Sequence, residues 1–414
     1  MPILPPVLPF VGFKWRWASH QPTEGLNHPP VFLGVLRALA KCEGQAKSSQ
    51  ELYVALQKVE TELSNCGQLP ARLTLARAPD RNLLRNAGQY WLSFELLQDN
   101  PGDIQLTDLG RAVASGQVPW DDLVAAVVRT HRLPNPAVMK ESEVAAWRAA
   151  SVEVFPLRLI LQVLVGLASG DAEAAHLTVQ ELCGIVIPLS ATNASVSTSV
   201  NAIRQARRDI LDMSMWPDCT PGANDQRIAA EFLLFLGAND IGIYEKRDPR
   251  PLSRLRLPSS HIALVGELLE HVSTIDGLRA AIYDVQEESL GGIVARGRRL
   301  VSVLDRSQQQ RFRAKVMEHH GARCLLSGES TLEALEAAHI VPVKYGGGNE
   351  ADNGIPLRAD LHALWDAGLL NIRANGEIRF ADRIPESSAY HALPRQVDIP
   401  RSIIQRLEWR DNYR

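Results

Sequence analysis

Cysteine is scarce in this 414-residue chain, and so are long apolar runs and a strong excess of charge of either sign. The five cysteines are odd in number and widely scattered, which argues against a disulfide framework and for a reducing compartment. The N-terminal stretch is apolar but lacks a basic leader and is interrupted by prolines, unlike a signal peptide. The most apolar segment, Leu157 to Ala168, contains Arg158 and is too short to span a bilayer. We therefore expect a cytoplasmic protein without a membrane partner.

The composition, 45% hydrophobic and 22% charged, is typical of a globular protein, and the length suggests roughly two to four domains. A net charge of −3 does not by itself indicate nucleic-acid binding. Charge distribution matters more, because only charges within about 8–10 Å of a phosphate interact with it strongly. Basic residues are clustered in three places, around Arg204–Arg208, Lys246–Arg256 and Arg296–Lys315.

Residues 1–116 are predicted to form a winged-helix-like DNA-binding domain that includes an irregular N-terminal arm, residues 1–30. The pattern predicts helices at Val31–Ala40, Ser48–Leu63, Asp80–Ala87 and Asp108–Ala114. Thr107 is a suitable N-cap for the last of these, and Gly116 a suitable end.

The rest of the chain is predicted to be mainly helical up to its C-terminal part. We expect a helical linker at 117–156, a second winged-helix-like domain at 157–257 and a helical connector at 258–320. The second domain would contain a long helix, Thr198–Ser214. A final domain would span 321–414. The fold class is thus mainly α with small α+β modules.

Positively charged side chains on these elements are candidates for contacts with DNA phosphates. For any single arginine, a solvated surface position is the simpler interpretation. The candidate DNA-binding residues are Arg81, Arg85, Arg204, Arg207, Arg208, Arg250, Arg311, Arg313 and Lys344.

The most informative stretch runs from Cys324 to Ile372. His339 follows an apolar run, a glycine-rich loop comes next, and a helical pattern begins at Arg358. We predict short strands at Leu325–Leu326 and Ile340–Val341, followed by that helix. His362 and Asp366, spaced i, i+4, would share one face of the helix.

This set of side chains suits the hydrolysis of a phosphodiester. A histidine near its unperturbed pKa can take a proton from water at neutral pH, which makes His339 the candidate general base. An imidazole and a carboxylate one helical turn apart can hold a divalent ion, so His362 and Asp366 are candidate metal ligands, and His362 is counted as catalytic too. Asn353 would tie the loop to the strand that carries His339.

The stretch resembles an HNH nuclease of the ββα-metal class, in the branch whose first motif reads Ala-His-Ile. The resemblance is carried by Ala338-His339-Ile340, by Asp352-Asn353-Gly354 and by His362-Ala-Leu-Trp-Asp366. It implies a C-terminal ββα-metal domain, a requirement for Mg²⁺ or Mn²⁺, and products with 5′-phosphate and 3′-hydroxyl ends.

One position departs from the family pattern. Many members carry Asp or His immediately before the catalytic histidine, and Ala338 cannot bind a metal. Either Glu336 substitutes in part for that ligand, or two protein ligands are completed by water and DNA phosphate, which we favour.

A separate DNA-reading part joined to a generic nuclease is the organisation of a restriction-type endonuclease. Double-stranded DNA is then the substrate and a homodimer is expected, because one such site cuts one strand. A cognate DNA methyltransferase is a partner that this interpretation allows. Two alternatives stay open: a triggered abortive-infection nuclease effector, and a DNA-binding regulator with a decayed nuclease.

Overall fold

The structure, a computed structural model, describes residues 3–17, 25–65, 67–70, 73–77, 90–217, 223–270, 274–279, 304–342, 348–382, 384–385 and 388–412. The chain divides into two compact units. Unit 1 comprises Met1–Glu60 and Pro70–Leu304, and unit 2 comprises Thr61–Leu69 and Asp305–Arg414. Among the described residues, no helix is both long and apolar enough to cross a membrane.

The first two thirds of the chain are mainly helical. The helices are α1 (Pro29–Lys41), α2 (Gln50–Asn65), α3 (Asp108–Ser115), α4 (Trp120–Thr130), α5 (Glu141–Ala149), α6 (Pro156–Ala168), α7 (Val179–Glu181), α8 (Ile187–Ala191), α9 (Val196–Ala206), α10 (Ala223–Ala238) and α11 (Ser259–Glu270). A π-helical turn, Leu182–Val186, joins α7 to α8, and short 3-10 turns lie at Ala172–Ala174 and Arg250–Leu252.

A small antiparallel sheet lies among these helices. Its strands are β1 (His176–Thr178), β2 (Ile243–Glu245) and β3 (Arg254–Arg256), in the order β1-β3-β2. Leu177 pairs with Leu255, and Tyr244 pairs with Leu255 from the other side. In the preceding part of the chain, isolated antiparallel bridges join Ala46 to Asp103 and Leu97 to Leu106.

Local signals account for several helix ends. The Thr107 hydroxyl accepts a hydrogen bond from the Gly110 amide at 3.0 Å, and α3 ends at Gly116 with a positive φ of 80°. The predicted ends of this helix therefore agree closely with the structure. The predicted helix Asp80–Ala87 lies outside the described residues.

The long helix predicted at Thr198–Ser214 is wrong in its C-terminal half, because α9 ends at Ala206. The amide of Ile210 bonds back to the Gln205 carbonyl at 2.9 Å, and Asp209 adopts a φ of 55°. Aspartate tolerates this left-handed conformation better than most residues, so it ends the helix without a glycine. As a consequence Arg208 lies beyond the helix.

Buried side chains join segments 1–116 and 157–257, both directly and through Trp120 of the intervening linker. The ring of Phe32 contacts that of Trp120, with centroids 4.9 Å apart, and the Trp120 indole donates to Asn239 Oδ1 at 2.7 Å. The Asn27 amide donates to buried Glu231 at 2.7 Å. These contacts explain why the two segments belong to one compact unit; the finer domain boundaries stay predictions.

Unit 2 contains a strand pair with a helix packed on it, followed by a hairpin and a terminal helix. Its elements are α12 (Leu304–His320), β4 (Leu335–His339), β5 (Gly354–Arg358), α13 (Ala359–Asp366), β6 (Leu370–Ile372), β7 (Ile378–Phe380) and α14 (Ile404–Asn412). Short 3-10 turns lie at Leu332–Ala334, Ala351–Asn353, Ala389–Ala392 and Arg401–Ile403. β4 pairs antiparallel with β5, and β6 with β7.

The predicted strand positions in this unit are wrong. Leu325–Leu326 forms a turn, closed by the Gly328 amide on the Cys324 carbonyl at 3.0 Å, with φ +70° at Gly328. The first strand is β4, which ends at His339 rather than beginning at Ile340. The second strand, β5, contains Pro356 and is buried along most of its length, so it shows neither alternation nor an uninterrupted set of donors.

The core of unit 2 draws on its four strands and on α12, α13 and α14. Leu335 and Ala338 of β4 pack with Leu361 and Trp365 of α13 in one buried cluster. The same cluster includes Met317 from α12 and Ile403 and Leu407 near the C-terminus. The core therefore extends well beyond the stretch from Cys324 to Ile372.

Candidate active site

His339 lies at the end of β4, where it pairs with Gly354 of β5. Its ring stacks face to face on Phe312 of α12, with centroids 3.8 Å apart and planes inclined by 11°. A Cβ added at Gly354 would lie 2.6 Å from the Phe312 ring and 2.3 Å from Val316. Glycine at this position is therefore what allows α12 to approach the strand and support the imidazole.

Burial lowers the pKa of His339 below its usual 6.5. The hydrogen bond between its Nε2 and Asn349 Oδ1, 2.9 Å long, acts in the opposite direction but does not outweigh burial. His339 is thus a neutral imidazole at neutral pH, able to accept a proton. The Trp365 indole donates to the His339 carbonyl at 2.9 Å and Glu336 of β4 contacts His362 at 2.7 Å, so the strand that ends at His339 packs on the helix that carries His362 and Asp366.

Asn353 is completely buried and holds the loop that precedes it. Its Nδ2 donates to the carbonyls of Val341 (3.0 Å) and Gly348 (2.8 Å), and its Oδ1 accepts from the Val341 amide at 2.9 Å. These bonds fix both ends of the loop that follows His339. Of that loop, residues 343–347 lie outside the described residues.

His362 and Asp366 share one face of α13, and the imidazole lies between two carboxylates. Its Nδ1 is 2.7 Å from Glu336 Oε2, and its Nε2 is 3.3 Å from Asp366 Oδ2. Burial alone would lower the pKa of His362, but the bonds to Asp366 and Glu336 outweigh it and raise that pKa. The bond to His362 lowers the pKa of Asp366.

Two of these side chains, His362 and Asp366, are placed to bind one divalent cation together. Imidazole Nε2 of His362 and the Asp366 carboxylate lie side by side, and Mg²⁺ takes one or two carboxylates in many proteins and fills its remaining positions with water and phosphate. Glu336 contacts the opposite ring nitrogen, so in this arrangement it supports the imidazole from behind. No group of three His, Cys, Asp or Glu side chains able to hold a metal occurs among the described residues.

Arg410 of α14 is a contributor that sequence reasoning did not identify. Its buried guanidinium donates to the carbonyls of Ile340 (2.7 Å) and Trp365 (3.2 Å), and it stacks over the Trp365 ring at 3.7 Å. The Trp365 indole in turn donates to the His339 carbonyl at 2.9 Å. The C-terminal helix thereby locks the end of β4 against α13. The only sequence signal was the Trp-Arg pair near the terminus.

Several of the candidate DNA-binding arginines bond to the protein itself. Arg204 donates to the carbonyls of Gly166 and Ser169, each at 2.9 Å. Arg207 bonds to Glu181 at 2.6 Å and to backbone carbonyls at Ala174 and His176. These contacts cap helix ends and hold β1 in place.

The remaining candidates are placed differently. Arg313 donates to the carbonyls of Leu335, at 3.0 Å, and Leu332. Arg208 is exposed, and Arg250 is partly exposed in the turn before β3. Arg81, Arg85 and Lys344 lie outside the described residues, as does the side chain of Arg311.

Part of the basic cluster near β2 and β3 is neutralised by one carboxylate. Glu245 bonds to Arg254 at 2.8 Å, to Arg247 at 3.0 Å and to Arg256 at 3.2 Å. The hydrogen bond from Arg254, with those from the other two arginines, lowers the pKa of Glu245 to about 2. This carboxylate is therefore charged at neutral pH and offsets part of the positive charge.

Comparison with curated proteins gives no match to the chain. Comparison with family models matches residues 324–373, about one eighth of the chain, to the HNH endonuclease family. The matched residues contain the strand pair β4–β5, the helix α13, and the His339, Asn353, His362 and Asp366 side chains. The chain therefore carries an HNH endonuclease domain at residues 324–373.

Proposed function

We propose that this protein is a metal-dependent DNA endonuclease of restriction type that cuts duplex DNA to 5′-phosphate and 3′-hydroxyl ends. The observation that carries the proposal is the proximity of three groups. His339, neutral at neutral pH, ends the strand that packs on the helix carrying His362 and Asp366, through contacts of Trp365 with the His339 carbonyl and of Glu336 with His362. A proton acceptor and a pair of metal-binding donors on one strand–helix face are what hydrolysis of a phosphodiester requires.

In the proposed reaction, His339 takes a proton from the attacking water, and Asn353 keeps its loop in place. His362 and Asp366 would hold the cation, and Glu336 would keep the imidazole of His362 oriented toward it. When bound, Mg²⁺ or Mn²⁺ supplies positive charge to the phosphate oxygens and to the leaving 3′-oxygen. Proton transfer by a positioned histidine typically contributes about 10²–10⁴-fold in rate.

We further propose that residues 1–116 and 157–257 read DNA as winged-helix-like modules. The strand order β1-β3-β2 in the second segment, with helices before it, supports this. The bridges Ala46–Asp103 and Leu97–Leu106 give the first segment the same order. Each good bidentate side-chain contact to a base would add about 1–3 kcal/mol of discrimination, which a backbone-reading nuclease does not supply.

The alternatives are distinguished by how cleavage depends on sequence. One site cuts one strand, so double-strand cleavage by this protein implies a homodimer or sequential nicking. A triggered effector would degrade DNA irrespective of sequence and only with an added factor. A decayed nuclease, for which Ala338 is the relevant departure, would bind DNA without cutting it.

A plasmid digestion tests the proposal. Purified full-length protein is incubated with methylated and unmethylated forms of one plasmid, with Mg²⁺, with Mn²⁺ or with EDTA, and the ends are sequenced. We expect discrete fragments with 5′-phosphates, formed only with a divalent ion and with different efficiency on the two plasmids. Absence of cleavage with either ion, or sequence-indifferent degradation, would contradict the restriction-type proposal.

A further inference from the structure

His339 has two ring nitrogens, and a side chain outside the assigned set contacts one of them. Asn349 Oδ1 lies 2.9 Å from Nε2 in a partly buried contact. A neutral imidazole carries one N–H and one lone pair, and the bond made by one nitrogen decides what the other carries. An amide oxygen can only accept, so with the amide oriented as in the structure the hydrogen is on Nε2 and the lone pair is on Nδ1.

We propose that Asn349 holds His339 in the Nε2–H tautomer, so that Nδ1 is the atom that takes the proton from the attacking water. This inference rests on the proposed nuclease function. It makes Asn349 a positioning residue, which acts through His339 and does not contact the phosphate. The asparagine of the Asp-Asn-Gly motif, Asn353, bonds to the backbone of Val341 and Gly348, and none of its bonds to described residues is made to the His339 ring.

Two further contacts fix the orientation of the His339 imidazole and the position of the Asn349 amide. The Phe312 ring covers one face of the imidazole at 3.8 Å and nearly parallel, which opposes rotation of the ring out of its plane. Asn353 Nδ2 holds the Gly348 carbonyl at 2.8 Å, directly before Asn349 in the chain. The connection therefore runs from the buried Asn353 through the backbone of Gly348 to Asn349, and from there to Nε2.

The arrangement also accounts for the charge that develops during the reaction. One water proton moves to Nδ1, the water oxygen forms the new bond to phosphorus, and the bond from phosphorus to the 3′-oxygen breaks. The leaving oxygen takes a proton from solvent, and His339 later returns its own proton to solvent. While His339 is protonated, Nε2–H bonded to the Asn349 oxygen stabilises the imidazolium.

The amide of Asn349 has an alternative orientation, in which its NH₂ group donates to a lone pair on Nε2. Two substitutions separate the orientations. Asn349→Asp keeps an acceptor but has no donor, so it preserves the bond only if Nε2 carries the hydrogen. Asn349→Ala removes the bond altogether. The control is Asn375→Ala, because Asn375 lies exposed in the β6–β7 turn of the same unit and bonds locally to the Glu377 amide.

The readouts are the tautomer and the kinetics of the full-length protein. Nitrogen-15 NMR of histidine-labelled protein, assigned with His339→Ala, reports which ring nitrogen carries hydrogen, and needs neither metal nor DNA. Single-turnover cleavage and DNA affinity are measured in parallel with Mg²⁺. We expect Nε2–H in the wild type, a mixture of tautomers in Asn349→Ala, and wild-type behaviour in Asn375→Ala. The cleavage rate of Asn349→Ala should fall about 10- to 100-fold at unchanged DNA affinity, and Asn349→Asp should largely restore it.

A wild-type Nδ1–H tautomer would overturn the inference, and so would an Asn349→Ala enzyme within twofold of the wild-type rate. Failure of the inference is distinguishable from failure of the proposed function. If His339→Ala is inactive while Asn349→Ala is not, only the role of Asn349 is lost. If His339→Ala cuts DNA as well as the wild type, the nuclease assignment itself is wrong.

Discussion

At the scale of single residues, the clearest consequence of the structure concerns the charge state of His362. Its two nitrogens face Glu336 and Asp366, and its pKa is raised in the folded state. A raised folded-state pKa stabilises the fold below the unfolded value near 6.5, and the stabilisation is lost as pH rises through the folded value. If His362 binds the metal as proposed, a metal and a proton compete for the same imidazole.

We predict that Glu336→Gln weakens both proton and metal binding by His362. In EDTA, the free energy of unfolding of Glu336→Gln should fall below that of the wild type. The difference should be largest at about pH 6 and should shrink as pH rises above the folded-state pKa of His362. In Mg²⁺ titrations of cleavage, the half-maximal concentration should rise about 10- to 100-fold, because the imidazole loses its supporting carboxylate. Thermal unfolding at several pH values and the metal titration check this. An unchanged metal requirement would contradict the role given to Glu336.

At the scale of elements, the approach of α12 to the β4–β5 pair depends on Gly354. A Cβ there would collide with both Phe312 and Val316. We predict that Gly354→Ala destabilises unit 2 by about 1–3 kcal/mol, the usual cost of overpacking, and slows cleavage because Phe312 moves off the His339 ring. Chemical denaturation and cleavage rates measure the two effects.

Gly266→Ala is the matched control for this substitution. Gly266 lies in α11, where an added Cβ would meet nothing within 4 Å. Alanine in a helix interior is more favourable than glycine, so stability should stay level or rise slightly. Equal destabilisation by the two substitutions would contradict the account of Gly354.

A second prediction at the scale of elements concerns the terminal helix α14. Arg410 is buried, donates to the backbone carbonyls of His339, Ile340 and Trp365, and stacks on Trp365. Arg410→Ala should cost about 2–4 kcal/mol of unit 2 stability, since it removes charged hydrogen bonds and a desolvated cation–π contact. Arg401→Ala, at an exposed position on the approach to the same helix, should be nearly neutral. Urea denaturation measures the free energy of unfolding of both variants, and equal losses of stability would contradict the prediction.

The sequence predicts elements with local signals well. The start of α13 at Ala359 follows from the helical spacing of its apolar residues, and the ends of α3 from Thr107 and Gly116. Sequence-based prediction fails where an element is buried on both faces and shows no apolar alternation, and where a helix ends without a characteristic stop residue. β5 is buried on both faces and contains Pro356, and α9 ends at Ala206, just before Asp209, a left-handed residue that gives no strong stop signal.

The candidate site likewise contains residues that the sequence reveals and residues that it does not. His339, Asn353, His362 and Asp366 lie within a short motif, so their order and spacing are visible in the sequence. Phe312, Asn349 and Arg410 act through contacts that depend on how α12, the loop and α14 pack, and no short-range pattern reports such contacts.

At the scale of the whole molecule, some arginines bond to other groups of the protein, whereas others are exposed to solvent. Arg207 bonds to Glu181 and to carbonyls near β1, whereas Arg208, its neighbour, is exposed. We predict that Arg208→Ala lowers DNA affinity and reduces the salt dependence of binding by about one unit of slope, with stability unchanged. Arg207→Ala should instead lower the stability of unit 1 by about 2 kcal/mol. Binding titrations at several salt concentrations, with thermal unfolding, check the pair, and an unchanged salt slope for Arg208→Ala would contradict its assignment to DNA.

The most direct measurement of the central claim compares cleavage and DNA binding in His339→Ala. A general base contributes about 10²–10⁴-fold, so the single-turnover rate with Mg²⁺ should fall by at least that factor while affinity for duplex DNA stays within about twofold. His391→Ala is the control, because His391 lies in unit 2 outside the site and bonds to Arg395. Cleavage by His339→Ala at the rate of the control would contradict the claim that this imidazole activates the attacking water.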